Sequence, residues 1–82
     1  MNHKSYFVII GPTKAQEKNK IRYSGIERFP NRKTAVRFLN EECERQEKGE
    51  RRWVALKECE HLHDENNQWY GDEERVLMTV YM

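Results

Sequence analysis

Apolar positions follow two different periods along the chain, and the change between them predicts a mixed fold. Residues 6–10 form a continuous apolar run that stops at Gly11-Pro12, which is typical of a buried strand ended by a turn. Residues 21–29 alternate in polarity like a half-exposed strand, and Gly25 indicates a bulge within it. The polar and basic stretch at residues 11–20 lacks any period and is predicted to be a mobile loop at the tip of a hairpin.

A helical period follows the second strand. Asn31 is a suitable N-cap because its side-chain oxygen can accept from the free amides of the first turn. Apolar side chains then recur every three or four residues and predict one buried stripe: Ala35, Phe38, Leu39 and Cys43. Gly49 is predicted to end the helix. On the opposite side, ion pairs are expected between Glu41 and Arg45 and between Glu44 and Lys48.

The remainder of the chain predicts two further strands, at residues 51–61 and 75–82, separated by a turn region at residues 63–74. In the last strand, Val76, Met78, Val80 and Met82 are expected to share one face. The chain is thus predicted to be a single α+β domain over residues 1–82, a small two-layer domain in the order β-β-α-β-β. Its antiparallel sheet carries one amphipathic helix packed on one face.

One helix can cover only one face of a four-stranded sheet. The first and last strands nevertheless carry apolar residues on both faces, which a half-covered antiparallel sheet usually avoids. We therefore expect a second copy of the chain or a partner protein to cover the other face. The alternative is that long lysine and arginine side chains, together with a loop containing Trp69 and Tyr70, fold over it.

Composition narrows the class of protein. The charged fraction is 35%, but nine aromatic residues and a net charge of +1 indicate a folded domain rather than a disordered chain. Two cysteines are too few for a disulfide framework, so a reduced, cytoplasmic protein is expected. The apolar run near the N-terminus is too short for a signal peptide or a membrane span, and no membrane association is expected.

Charge is distributed unevenly along the chain. Residues 1–37 hold nine lysines and arginines against two acids, a balance of +7, and the remainder hold six against twelve, a balance of −6. Such asymmetry favours an acidic or polyanionic partner for the basic half. The two halves could equally neutralise each other within the fold, and the sequence leaves both interpretations open.

Two groups of residues are candidates for contact with a partner. The basic group, with the helix cap, could contact an acidic protein surface or phosphates: Lys14, Lys18, Lys20, Arg22, Arg28, Asn31, Arg32, Lys33 and Arg37. The aromatic group could supply contact surface or stack on bases: Tyr23, Trp53, Trp69 and Tyr70. A sequence pI near 7.8 and the absence of a nucleic-acid-binding motif make nucleic acid the second choice.

The sequence offers little chemistry. Cys59, His61 and His63 alternate, so they would share one face of a strand and are weak candidates for metal ligands. A second ligand pair is missing from the sequence, so we expect no metal, no cofactor and no catalytic residues. The acids Asp72, Glu73 and Glu74 are expected to lie in a solvated loop.

The resulting hypothesis is a small non-catalytic protein-binding module. It could be a phage-type or mobile-element-type regulator or inhibitor that occupies a site on a larger host protein, an idea based only on size and lack of chemistry. The same apolar surface could instead pair with that of a second copy and form a homodimer. The alternative is a nucleic-acid-binding accessory protein that uses the basic hairpin and helix start.

Overall fold

The computed structural model describes residues 3–47, 49 and 52–81. Three residues with predicted roles lie outside the described residues: Arg51 of the third strand, Lys48 of a helical ion pair and Met82 of the last strand. Six elements follow one another along the chain: β1 (His3–Ile10), α1 (Lys14–Lys18), β2 (Gly25–Phe29), α2 (Arg32–Glu47), β3 (Val54–His63) and β4 (Trp69–Val80).

The four strands form one antiparallel sheet in the order β2-β1-β3-β4. The α+β fold and its β-β-α-β-β order are therefore confirmed. β1 and β3 are central and pair along the whole of β1, from His3 opposite His61 to Ile10 opposite Val54. β4 is a long edge strand, and β2 is a short edge strand that pairs with five of the eight residues of β1.

Helix α2 packs on one face of the sheet, over β1, β3 and β2. The stripe predicted for this helix forms the core, since Ala35 and Leu39 are buried against Val8, Val54 and Leu56. Phe38 and Cys43 are half-buried at its margin, as the three- and four-residue spacing predicts. Two polar residues continue the stripe unexpectedly: Glu42 and Gln46 are also buried.

Both ends of α2 are fixed by hydrogen bonds. The side-chain oxygen of Asn31 accepts from the backbone N–H of Thr34 at 2.9 Å, which confirms the predicted N-cap. At the other end, the N–H of Gly49 donates to the carbonyl of Gln46. The expected partner of Arg45 was wrong, because Arg45 pairs with Glu42 one turn away at 3.0 Å rather than with Glu41.

The segment predicted as a loop at residues 11–20 contains the short helix α1. Thr13 caps it through a reciprocal pair of hydrogen bonds with Gln16, a capping box that the sequence analysis overlooked. β2 consequently begins at Gly25 rather than at Ile21, and Gly25 pairs directly with Ile10 without a bulge. Ile21 and Tyr23 precede the strand and are exposed.

The second hairpin is longer than predicted. β3 continues to His63 and β4 begins at Trp69, so the turn occupies only residues 64–68. Asp64 organises this turn, because its carboxylate accepts from the backbone N–H groups of Asn66 and Gln68. Asp72, Glu73 and Glu74 therefore lie in a strand and not in a solvated loop.

A register shift in β4 overturns one predicted face. Val76 pairs with Lys57, whereas Met78 pairs with Leu56, which belongs to the core side of the sheet. The shift between these pairs adds one residue to β4, so Val76 and Met78 lie on opposite faces. Leu77 and Val80 are the residues of β4 that pack against the core.

Candidate functional site

The face of the sheet opposite α2 is called the open face here. Residues paired across antiparallel strands point to the same side, so the register defines four rows on it. Two rows hold most of the apolar residues of this face, beside Arg28 and Lys57, and are called the apolar half; the other two form the polar half. The two rows of the apolar half run from β2 to β4: Ile26–Ile9–Ala55–Thr79 and Arg28–Phe7–Lys57–Val76. The two rows of the polar half run from β1 to β4: Ser5–Cys59–Glu74 and His3–His61–Asp72.

The apolar half contains a shallow groove of about 290 Å³. Its lining comes from β1, β3 and β4 and from the residues next to them: Ile9, Trp53, Ala55, Lys57, Val76, Thr79 and Tyr81. Several large side chains here are unusually exposed, with Val76 at 59% and Tyr81 at 81%. The groove is thus an apolar surface in contact with solvent.

Across the polar half and the adjoining Arg28, hydrogen bonds connect five side chains in series. Ser5 Oγ lies 3.0 Å from His61 Nε2, and His61 Nδ1 lies 2.8 Å from Asp72 Oδ1. The guanidinium of Arg28 donates to Ser5 Oγ at 3.0 Å, and the indole N–H of Trp69 donates to Asp72 Oδ1 at 2.9 Å. Strands β2, β1, β3 and β4 each contribute to this network.

The network orients the His61 ring. Hydrogen bonds from Trp69 and from His61 lower the pKa of Asp72, so its carboxylate is an acceptor. His61 Nδ1–H then donates to Asp72, while Nε2 shares a hydrogen bond with the hydroxyl of Ser5 whose direction depends on the proton at Nε2. Ser5 Oγ in turn accepts from Arg28.

A serine, a histidine and an aspartate in this order resemble the arrangement that activates a serine nucleophile. Two features oppose that function. Ser5 exposes only 4% of its surface, and its oxygen already accepts from the Arg28 guanidinium. An acyl carbon would have to displace that cation in order to approach the oxygen, so acyl transfer is not the chemistry this arrangement favours.

Cys59 lies beside the same histidine. Burial raises the pKa of its thiol, and the carboxylates of Asp72 and Glu74 raise it further, so the thiol is protonated. One ligand atom each from Cys59, His61 and Asp72 lie within 4.8 Å of one another. The structure therefore adds Asp72 to the predicted candidates Cys59 and His61.

His63, the third candidate, lies at the far end of β3. Its ring contacts that of His3 edge-on, with centroids 5.4 Å apart. It belongs to the same corner of the sheet but not to the three-residue group.

The predicted basic residues do not form one surface. Lys14 and Lys18 lie on α1, which follows the end of β1 at Ile10. Arg32, Lys33 and Arg37 lie on α2, which begins at the other end of the hairpin, where Phe29 pairs with Tyr6. Arg28 lies on the open face and binds Ser5, and Lys20 and Arg22 lie in the exposed link between α1 and β2. The cations thus occupy separate ends and faces of the sheet.

The predicted aromatic residues are also separated. Trp53 lines the apolar groove, whereas Tyr23 is exposed before β2. Trp69 and Tyr70 begin β4 rather than lie in a loop, and both are more than 60% exposed. The Trp69 indole lies beside the polar half, where it donates to Asp72.

Sequence reasoning missed Ser5 and Asp72. Ser5 precedes an apolar run and resembles an ordinary strand residue. Asp72 was hidden within an acidic run that has no apolar alternation. A shorter predicted turn would have placed Asp72 in a strand opposite His61.

Comparison with known proteins does not assign a family. No protein-family profile, no curated protein and no solved structure matches the chain. Among the described helices, none has the length and apolar character needed to cross a membrane.

Proposed function

We propose that this chain is a protein-binding module without catalytic activity of its own, and that it binds through the apolar half of the open face. The observation that carries the proposal is the exposed groove bounded by Trp53, Val76 and Tyr81 on a sheet that has a helix on its other side only. Contiguous apolar surface of this kind on a small protein marks an interaction site.

The surface area of the molecule supports the proposal. The chain exposes 6172 Å², whereas a monomeric protein of 10.0 kDa exposes about 5,200 Å². Its radius of gyration is 14.9 Å, compared with about 12 Å for a compact chain of 82 residues. The excess of roughly 900 Å² is close to the 800 Å² or so that each partner buries in a standard interface.

A second copy of the chain is the occupant that this area fits best. Two open faces packed against each other would form a two-sheet sandwich about 10 Å thick between sheets, with helices on the outside. A two-fold axis would bring the apolar half of each copy onto the other. Lys57 borders the groove, but Glu74 neutralises it at 2.6 Å, so it does not prevent close approach.

Sedimentation equilibrium of the parent and two variants of one strand tests this proposal. The parent is expected to be a dimer at about 10 μM, since a Kd of about 1 μM corresponds to roughly −8 kcal/mol, well within the reach of such an interface. Val76→Asp places a charge in the groove and should give a folded monomer. Met78→Asp lies on the opposite face of β4 and should leave the dimer intact.

Two results would contradict the proposal. A parent protein that remains monomeric at about 100 μM excludes a second copy as the occupant. A dimer that survives Val76→Asp but is lost in Met78→Asp places the interface on the helix side instead. Circular dichroism of each variant shows whether the fold is retained.

A role as a regulator or inhibitor of a larger host protein, including one of phage type, remains a prediction from the sequence. Neither Cys43 nor Cys59 forms a disulfide, which supports a reducing compartment such as the cytoplasm. The nucleic-acid alternative receives less support, because the cations that it requires are spread over both faces and both ends of the sheet.

A further inference from the structure

Side chains of the types that can bind metals are grouped at one corner of the open face. All three histidines of the chain lie there, together with one of its two cysteines. His3 pairs with His61 across β1 and β3, and the ring of His63 contacts the ring of His3. Cys59 lies two residues before His61 on the same strand and so points to the same side. None of these four side chains lines the apolar groove used in the proposed function.

Two of these side chains, together with Asp72, are placed as a set of ligands for a metal ion. Cys59 and His61 alternate on β3, and Asp72 lies directly opposite His61 on β4. Their ligand atoms lie within 4.8 Å of one another. In a tetrahedral zinc site, bond lengths of about 2.0–2.3 Å place neighbouring ligand atoms about 3.4–3.6 Å apart. His61 Nδ1 and Asp72 Oδ1 are 2.8 Å apart, so a small opening of this pair admits an ion.

Neighbouring residues would hold these ligands in position. Ser5 hydrogen-bonds the second nitrogen of the His61 ring, and its two lone pairs allow it to accept from both His61 and Arg28. The Trp69 indole donates to Asp72. Metal-binding histidines almost always make such a hydrogen bond through the nitrogen that does not bind the metal. The corner therefore contains both a ligand set and the contacts that orient it.

A hollow of about 300 Å³ lies beside His61, and its wall also includes His3, Ser5 and Arg28. The fourth coordination position of the ion would be filled by water. Three protein ligands with one open position are typical of zinc sites that bind a further ligand.

We propose that Cys59, His61 and Asp72 bind a zinc ion at this corner of the open face. Thiolate and imidazole ligands favour zinc and exclude calcium and magnesium, which prefer oxygen ligands alone. Zinc binding releases the proton of the Cys59 thiol to solvent, and the resulting thiolate and the single carboxylate balance the charge of the divalent ion. The proposal departs from the expectation from the sequence, which found no second ligand pair and assigned Asp72 to a loop.

Zinc and cobalt binding to the full chain tests the site. The reduced, metal-free protein is expected to bind one equivalent of Zn²⁺ by calorimetry. Cobalt in the same site should show a thiolate-to-cobalt charge-transfer absorption in the near ultraviolet, which zinc then displaces. Cys59→Ser should abolish that absorption, and Asp72→Asn should weaken zinc binding more than the 10–100-fold typical of losing a supporting contact.

Matched variants distinguish zinc binding at this site from non-specific binding of zinc by other thiols and imidazoles. Cys43→Ser removes the thiol on α2 and should leave the affinity and the cobalt spectrum unchanged, because Cys43 lies on the other side of the sheet. Asp72 is exposed at the edge strand, so Asp72→Asn is expected to fold even if Cys59→Ser does not. The proposal is overturned if the parent binds no zinc at micromolar concentration. It is also overturned if Asp72→Asn binds zinc as tightly as the parent, or if Cys43→Ser loses the ion.

Discussion

The indole of Trp53 lies over the α-carbon of Gly11, with ring atoms 2.6 Å from the point that a β-carbon on Gly11 would occupy. The N–H of Gly11 also donates to the carbonyl of Trp53 at 2.7 Å, which holds the two backbones together. Gly11 is thus required for close approach rather than for an unusual backbone angle. The contact fixes Trp53 at the end of the apolar groove.

Gly11→Ala is expected to destabilise the protein by about 1–3 kcal/mol, the usual cost of overpacking, because the β-carbon collides with the rigid indole. Urea denaturation followed by circular dichroism measures the loss. Gly71→Ala is the matched control, since an added β-carbon there meets nothing within 4 Å. Alanine in that strand should be neutral or stabilising by a few tenths of a kcal/mol up to about 1. Equal stability of Gly11→Ala and the parent would show that Trp53 does not occupy this position.

Leu39→Ala should cost about 2–5 kcal/mol, because Leu39 is buried in the core between α2 and the central strands. The corresponding truncation on the open face, Val76→Ala, should cost much less in a monomer because Val76 is 59% exposed. Thermal unfolding at low protein concentration compares the two. A smaller loss for Leu39→Ala than for Val76→Ala would mean that the helix covers the opposite face.

The helix and its core were predictable because one strong signal determines them. A stripe at three- and four-residue spacing, started by Asn31, can be satisfied only by burial against the sheet. The length of the second hairpin was not predictable in this way. Residues 72–75 are all charged and show no apolar alternation. Their pairing with β3, which no local pattern reveals, makes them a strand.

The faces of β4 were assigned wrongly for a related reason. Strict alternation places Val76 and Met78 together, but one additional residue in β4 changes the side on which they lie. Nothing local marks this position in the sequence. The candidate metal corner was half-predictable: alternation brings Cys59 and His61 together, whereas Asp72 joins them only through the cross-strand register.

Ser5 is expected to resist serine-reactive probes, although it hydrogen-bonds a histidine that hydrogen-bonds an aspartate. Its oxygen is buried and accepts from Arg28, so an electrophile cannot reach it. Incubation with a fluorophosphonate followed by intact mass measurement should show no adduct. Arg28→Ala provides the comparison, because it removes the blocking guanidinium. Stoichiometric labelling of the parent that is lost in His61→Ala would instead identify an activated nucleophile and contradict the proposed non-catalytic function.

Lys33→Glu should stabilise the protein by about 0.3–1 kcal/mol. The first turn of α2 contains no acid, and Lys33 places a positive charge near the positive end of the helix dipole. A glutamate at this position reverses an unfavourable interaction into a favourable one. Arg37→Glu, further along the same helix, is the control and should give little of this gain because the dipole effect is confined to the first turn. A loss of stability in Lys33→Glu would indicate that this lysine has a favourable partner.

The double change of Arg32 and Lys33 to glutamate separates the two kinds of partner considered for the basic residues. Contact with nucleic acid would make log affinity fall with log salt, and the slope would shrink by about 0.9 for each lost phosphate contact on duplex DNA.

We expect no such binding at physiological salt. The cations of α1 and α2 lie at opposite ends of the β1–β2 hairpin, and Asp72, Glu73 and Glu74 extend along β4. A polyanion that crosses the sheet from the hairpin to β4 would therefore meet the acids of that far edge strand. Fluorescence anisotropy with unrelated DNA and RNA duplexes should give Kd values above the range of about 10⁻⁶ to 10⁻⁴ M that is typical of non-specific binding. Tight, sequence-independent binding that the double variant abolishes would establish the nucleic-acid function instead.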